Sequence, residues 1–310
     1  MKRSRFALLL AGSAGAVPHC LRAQTLTVRL GGIPSDSYGE PYFGLDGGFF
    51  SRAGVNVEVT SFGSGAQIAT AVVGGALDVG LADPIVIGSA VVRGVGLGYF
   101  AGGVEYSTDA PTTQLCVLRA GPIKTPKDLN GQTLGVFSLN SMPLYATREW
   151  LRQSGVDTDS VKFVELSPPA MIPAIVRGTI AAGVVNEPLL SSAPSEGVAP
   201  FAKVYDACAK FFYISCFFGR RDWLQQNAPV MRKFTQALYD TARWANSHHP
   251  DTLKIVAKYT KMEPERIASM TRAVYDTALD PKKLAAPLAL ALKYQAFDRP
   301  LTASDLIVRI

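Results

Sequence analysis

Phe62 to Pro84, FGSGAQIATAVVGGALDVGLADP, decides the fold, because Ala170 to Pro188, AMIPAIVRGTIAAGVVNEP, repeats its plan. Setting Ala71 against Ala174 brings Gly75 onto Gly178, Leu77 onto Ile180, Gly80 onto Gly183 and Asp83 onto Asn186, at a constant offset of 103. Each copy reads as an apolar-periodic helix, a Gly at its C′ position and a short apolar run suited to a buried parallel strand. Each strand then ends in a corner with an acid and a proline, Asp83-Pro84 and Glu187-Pro188. The repeat predicts two similar α/β lobes whose corners face each other across a cleft.

The chain has 310 residues, enough for two domains of ordinary size. With 48% hydrophobic and 18% charged residues it reads as globular. Its start reads as a secretory signal over residues 1–23. Lys2, Arg3 and Arg5 precede an apolar run from Phe6 to Val17 that is too short to span a bilayer, and Ala23 suits cleavage. Removing that segment lowers the 31 basic residues to 27 against 25 acidic ones. The mature surface is then near neutral, and no basic cluster with interleaved aromatics points to nucleic acid. Cys20 leaves with the signal, so Cys116, Cys208 and Cys216 remain, an odd number that cannot form a complete disulfide framework. Cys116 and Cys216 are expected on neighbouring strands, where one bridge can form, with buried free thiols as the default.

Strand and helix patterns alternate through both halves, as a largely parallel sheet covered on both faces requires. The polar segment from Ala110 to Thr113 marks a first crossing between lobes, and the β-rich Phe211 to Phe218 marks the return. From Asp222 the pattern is helical: Pro229–Asn246, Pro250–Tyr259, Pro264–Tyr275 and Ala285–Phe297. A helical tail has no sheet of its own, so it should pack on the first lobe. The expected boundaries are residues 24–111 and 214–310 for lobe one, and 112–213 for lobe two.

TVRLGGIP, YFGLDGGFFSRAGVNVEV, GSGAQIATAVVGGALDVGLADP, LCVLRAGPIKTPKDLNGQTLGV and GVVNEP, in that order and spacing, resemble periplasmic solute-binding proteins of ABC importers. The branch it resembles is the sulfonate, nitrate and taurine family, which includes proteins similar to thiamine-pyrimidine synthases. The resemblance spans almost the whole mature chain and implies a two-lobed type II periplasmic-binding-protein fold. It also implies a periplasmic monomer without cofactor that traps a ligand by hinge closure and serves a membrane permease and its ATPase. The alternatives are pyrimidine-precursor binding or a synthase-like enzyme on the same fold, and a receptor that hands its ligand to a sensor kinase rather than a permease. Ala181 and Asn186 stand where the family pattern has an Asp and an aromatic residue.

In α/β sheets ligands sit beyond the carboxyl ends of strands, where helix N-termini present unpaired N–H groups. Pro34-Ser35, Ser64-Gly65 and Ser138 with Asn140-Ser141 are three such loops. They suit an anionic or zwitterionic organic ligand of sulfonate or carboxylate type. The same Ser and Asn side chains can instead cap their helices. Asp83 and Glu187 can pair with a ligand amine or cap the following turn. Tyr213 can stack on a ligand or lie in the core, and Tyr38 and Tyr42 carry the same ambiguity. Catalytic patterns are missing from the sequence. His248-His249 has no metal-ligand spacing, and no Gly-x-Ser-x-Gly elbow occurs.

Overall fold

The computed structural model describes residues 26–310; the signal expected over residues 1–23 lies outside them. Among the described residues eleven strands form two sheets. The first contains β1 (Thr27–Gly32), β2 (Asn56–Ser61), β3 (Val79–Ala82), β4 (Leu97–Ser107), β10 (Phe211–Arg220) and β11 (Val274–Tyr275), in the order β11-β4-β10-β3-β1-β2. The second contains β5 (Thr113–Leu118), β6 (Thr133–Val136), β7 (Lys162–Glu165), β8 (Ala182–Asn186) and β9 (Val198–Ala202), in the order β7-β6-β8-β5-β9. Helices flank both sheets, so the α/β class expected from sequence is seen. The sheets are mixed, however, rather than mostly parallel. β1, β2 and β3 pair in parallel, as do β6, β7 and β8. β10 runs antiparallel to both β3 and β4, and β5 antiparallel to both β8 and β9. Antiparallel pairing enters with the strands on either side of the two passages between sheets, Ser107 to Thr113 and Ala202 to Phe211.

The repeat governs local packing. The helices Gly65–Val73 and Pro168–Val176 are nine residues each and stand 103 positions apart. Gly75 and Gly178 follow them with φ of +74° and +70°, a left-handed backbone that favours glycine. β3 and β8 are buried along their whole length, as the continuous apolar runs require. Both helices lie close on their sheets because the strand residue beneath is glycine. A methyl group at Gly80 would overlap Ile68, and one at Gly183 would meet Met171 Sδ at 2.6 Å. Ile68 and Met171 are themselves a repeat pair.

The tail departs from the expected helix over Pro264–Tyr275. Only Pro264–Ile267 is helical, and Val274–Tyr275 joins β4 as an edge strand. Two acids account for the difference. The N–H of Thr271 donates to Glu187 at 3.1 Å and that of Ala273 to Asp36 at 2.6 Å. These are backbone donors that a continuing helix would have turned inward. Cys116 and Cys216 depart from the neighbouring strands expected for them, since they lie in different sheets, on β5 and β10; all three described cysteines are free, the default expectation.

Candidate functional site

Between the two sheets lie two connected cavities that share Ile33, Gly63, Pro168 and Asn186. The inner one offers about 40 Å³ of free space. Its polar lining comes from Ser37, Ser64 and Asp83 on one side and from Thr113, Ser138 and Asn186 on the other. The outer one offers about 560 Å³ and is walled by Phe62, Pro168, Pro169, Pro188, Leu189 and Met262. Asp83 and Asn186, matched by the repeat, thus meet at the same cavity.

Of the residues singled out in the sequence, Ser64, Gly65, Asp83, Ser138 and Ser141 line the inner cavity, and Pro34, Ser35 and Glu187 line the outer one. Asn140 lines neither. Its Oδ1 accepts from Ser89 and Tyr145, each at 3.3 Å, in a contact that ties the second-sheet helix Met142–Gln153 to the helix Pro84–Val92. Tyr213 is fully buried within the first sheet; its hydroxyl donates to Asp276 at 2.5 Å and accepts from Asp280 N–H at 2.8 Å. Tyr38, for which the sequence leaves ligand stacking and core packing open, lines the inner cavity, and Ser37, Phe137 and Tyr205 line it as residues that the sequence does not mark. The residue types of Ser37 and Tyr38, two and three positions beyond Ser35, carry no signal that separates a cavity wall from a turn.

Local chemistry explains each placement. Ser64 accepts the Gln67 N–H at 3.3 Å and so caps the helix it begins. Asp83 does the same for the helix Pro84–Val92: its Oδ1 takes the Ile85 and Val86 N–H groups at 2.9 and 3.1 Å. Burial pushes the Asp83 carboxyl up to about 6, against the opposing pull of N–H groups from Val86, Met142 and Ile85. Glu187 takes Ser191 N–H at 3.0 Å, Ser191 hydroxyl at 2.9 Å and Thr271 N–H at 3.1 Å. It is 2% exposed, and burial pushes its carboxyl up to about 7. The two acids are reciprocal. Asp83 is held near a backbone N–H of the second-sheet helix, and Glu187 is held by a backbone N–H of the tail that packs on the first sheet. Ser37 adds a third link across the gap, donating to Thr112 Oγ1 at 3.1 Å.

Capping and cavity lining therefore coexist on the same side chains. Among the described residues no Lys, Arg or His lines either cavity, and the only acidic lining residues are Asp83 and Glu187. Among the described residues no cluster of His, Cys, Asp and Glu could hold a metal ion, and no helix is long and apolar enough to cross a membrane.

The family described as NMT1/THI5 like matches residues 38–252. No curated protein matches the sequence. Among solved structures, the ligand-binding component of an ABC-type import system from Staphylococcus aureus, with zinc bound, aligns with a TM-score of 0.78 at 14% identity, covering 91% of this chain and 96% of that one. The alkanesulfonate-binding protein SsuA from Xanthomonas axonopodis pv. citri, bound to MOPS, aligns at 0.74 and 16%, covering 92% and 98%. The periplasmic nitrate-binding protein NrtA from Synechocystis PCC 6803 aligns at 0.73 and 15%, covering 89% and 83%. At these identities the likeness shows the fold, that of periplasmic binding proteins.

Proposed function

The chain belongs to the NMT1/THI5-like family, and on that premise we propose that it is an extracytoplasmic solute receptor of an ABC importer. The observation that carries this reading is the cleft itself. Two repeated half-structures turn equivalent strand ends, Asp83 and Asn186, toward one cavity that a larger one connects to the surface. Such a cleft suits capture of a small organic molecule by hinge closure, with the Ser107–Thr113 and Ala202–Phe211 passages as the hinge. The lobes are then residues 24–111 with 214–310, and 112–213.

The receptor works as a periplasmic monomer, exported by its N-terminal signal, and presents its load to a permease and ATPase pair. It binds without transforming. Of the anionic and zwitterionic ligands that helix-end donors suit, the acid-only lining favours those that also carry a nitrogen donor. A thermal-shift screen of the mature chain over sulfonates, nitrate, carboxylates, amino compounds and pyrimidines tests the reading. A true ligand, supplied at 100 times its Kd, stabilises by about 3 kcal/mol, and small-angle scattering should show the lobes close. Consumption of any of these compounds by the purified protein would replace the receptor with an enzyme.

A further inference from the structure

Resting on the receptor reading, we propose that the ligand presents an N–H donor, as an amine, amidine or amino-heteroaromatic group, to Asp83 in the inner cavity and an apolar body to the outer one. The sign of the lining charges is the first ground. Among the described residues, an isolated anion entering the inner cavity would meet a carboxyl and no cationic side chain, because no Lys, Arg or His lines it. Asp83 Oδ1 is taken by the Ile85 and Val86 N–H groups and the Met142 N–H also acts on the carboxyl, three donors on a group with about four acceptor sites, which leaves one for a ligand proton. Asn186 stands in the same lining, and its carboxamide can accept from a second N–H or donate to a ring nitrogen.

The outer cavity supplies independent ground. Ser35 is 5% exposed and its hydroxyl has no hydrogen-bond partner, although it lines this cavity and precedes a short helical turn that it does not cap. A buried hydroxyl without a partner is costly unless something arrives to satisfy it. Around it Phe62, Pro168, Pro169, Leu189 and Met262 form an apolar wall, which suits a ring or an alkyl chain carrying one polar substituent. A nitrate-sized ion held in the inner cavity would leave the outer one, about 560 Å³, unfilled by ligand. The occupant is therefore an organic molecule with a nitrogen head and an apolar body.

Three probes that share one ring separate the possibilities: benzylammonium, benzyl alcohol and phenylmethanesulfonate, titrated calorimetrically into the mature chain. Benzylammonium should bind tightest, and Asp83→Asn, which keeps a helix-capping side chain, should weaken it about 10- to 100-fold while leaving benzyl alcohol unchanged. Asn186→Asp, which adds a carboxylate to the same cavity, should move the affinities the other way, raising that for benzylammonium and lowering that for the sulfonate. Ser35→Ala should leave the preference for the amine intact. Tighter binding of phenylmethanesulfonate than of benzylammonium, with lobe closure, would overturn the nitrogen head and keep the receptor. Failure of all three probes and of the wider screen to close the lobes would overturn both.

Discussion

Replacing Glu187 by Gln should remove a large part of the protein's loss of stability between pH 5 and pH 8. The carboxyl lies 2% exposed beneath the tail and titrates near 7 because burial disfavours its charge. In the unfolded chain an ordinary Glu titrates near 4.5. Between those values the folded protein holds a proton that the unfolded chain has released, so stability falls as pH rises through the window and levels off above pH 7. Over the whole window the difference corresponds to about 3 kcal/mol, most of it lost above pH 5. Gln keeps one oxygen for the Ser191 and Thr271 donors and has no charge to desolvate. Urea unfolding of both proteins at pH 5 and pH 8 measures the effect. The wild type should lose about 2 to 3 kcal/mol more than the variant over that interval, on top of the smaller share that Asp83, pushed up to about 6, contributes to both. Parallel decline in the two proteins would refute the assignment of a raised carboxyl to this position and, with it, the burial of Glu187 by the tail.

Asp36→Ala should destabilise the fold by about 3–5 kcal/mol. The fully buried carboxylate holds Arg272 at 2.8 Å and the Ala273 N–H at 2.6 Å, and a fall in the thermal midpoint would register its loss. Gly183→Ala, which drives a methyl into Met171, should cost about 1–3 kcal/mol. Denaturant midpoints compare it with Gly80→Ala, whose equivalent contact is tighter. Ser64→Ala should cost about 1 kcal/mol through the lost cap and weaken ligand binding as well, measurable by unfolding and by calorimetry on one preparation. Cys116, fully buried with its thiol pushed up to about 12, should react with a disulfide reagent at pH 8 only on unfolding, as mass mapping of the labelled chain can record.

Much of the site could be read before folding, for a physical reason. Ser64, Asp83 and Ser138 follow strands and precede helices, and chain order alone puts such residues at the carboxyl edge of a sheet. Tyr213 belongs to another class. Nothing local distinguishes a tyrosine facing a cleft from one whose hydroxyl meets Asp276, 63 positions later in the chain. Asn140 was placed one step wrong for a similar reason: its loop reaches the cleft, yet its own side chain turns to Ser89 on the other half.

The linear order of residues determined the duplication, the glycines beneath each repeated helix, the alternation of strands and helices and the acid-containing corners. All of these depend on periodicity and backbone conformation within about twenty residues. Tertiary structure alone decided three further matters. It mixed the strand directions within each sheet and separated Cys116 from Cys216. It also drew the tail from Thr271 to Tyr275 out of helical form, because donors there found carboxylates on Glu187 and Asp36, far away in the chain. The charge of the cavity belongs to this second group: whether a cation reaches the cleft depends on where distant segments pack, and among the described residues none lines it.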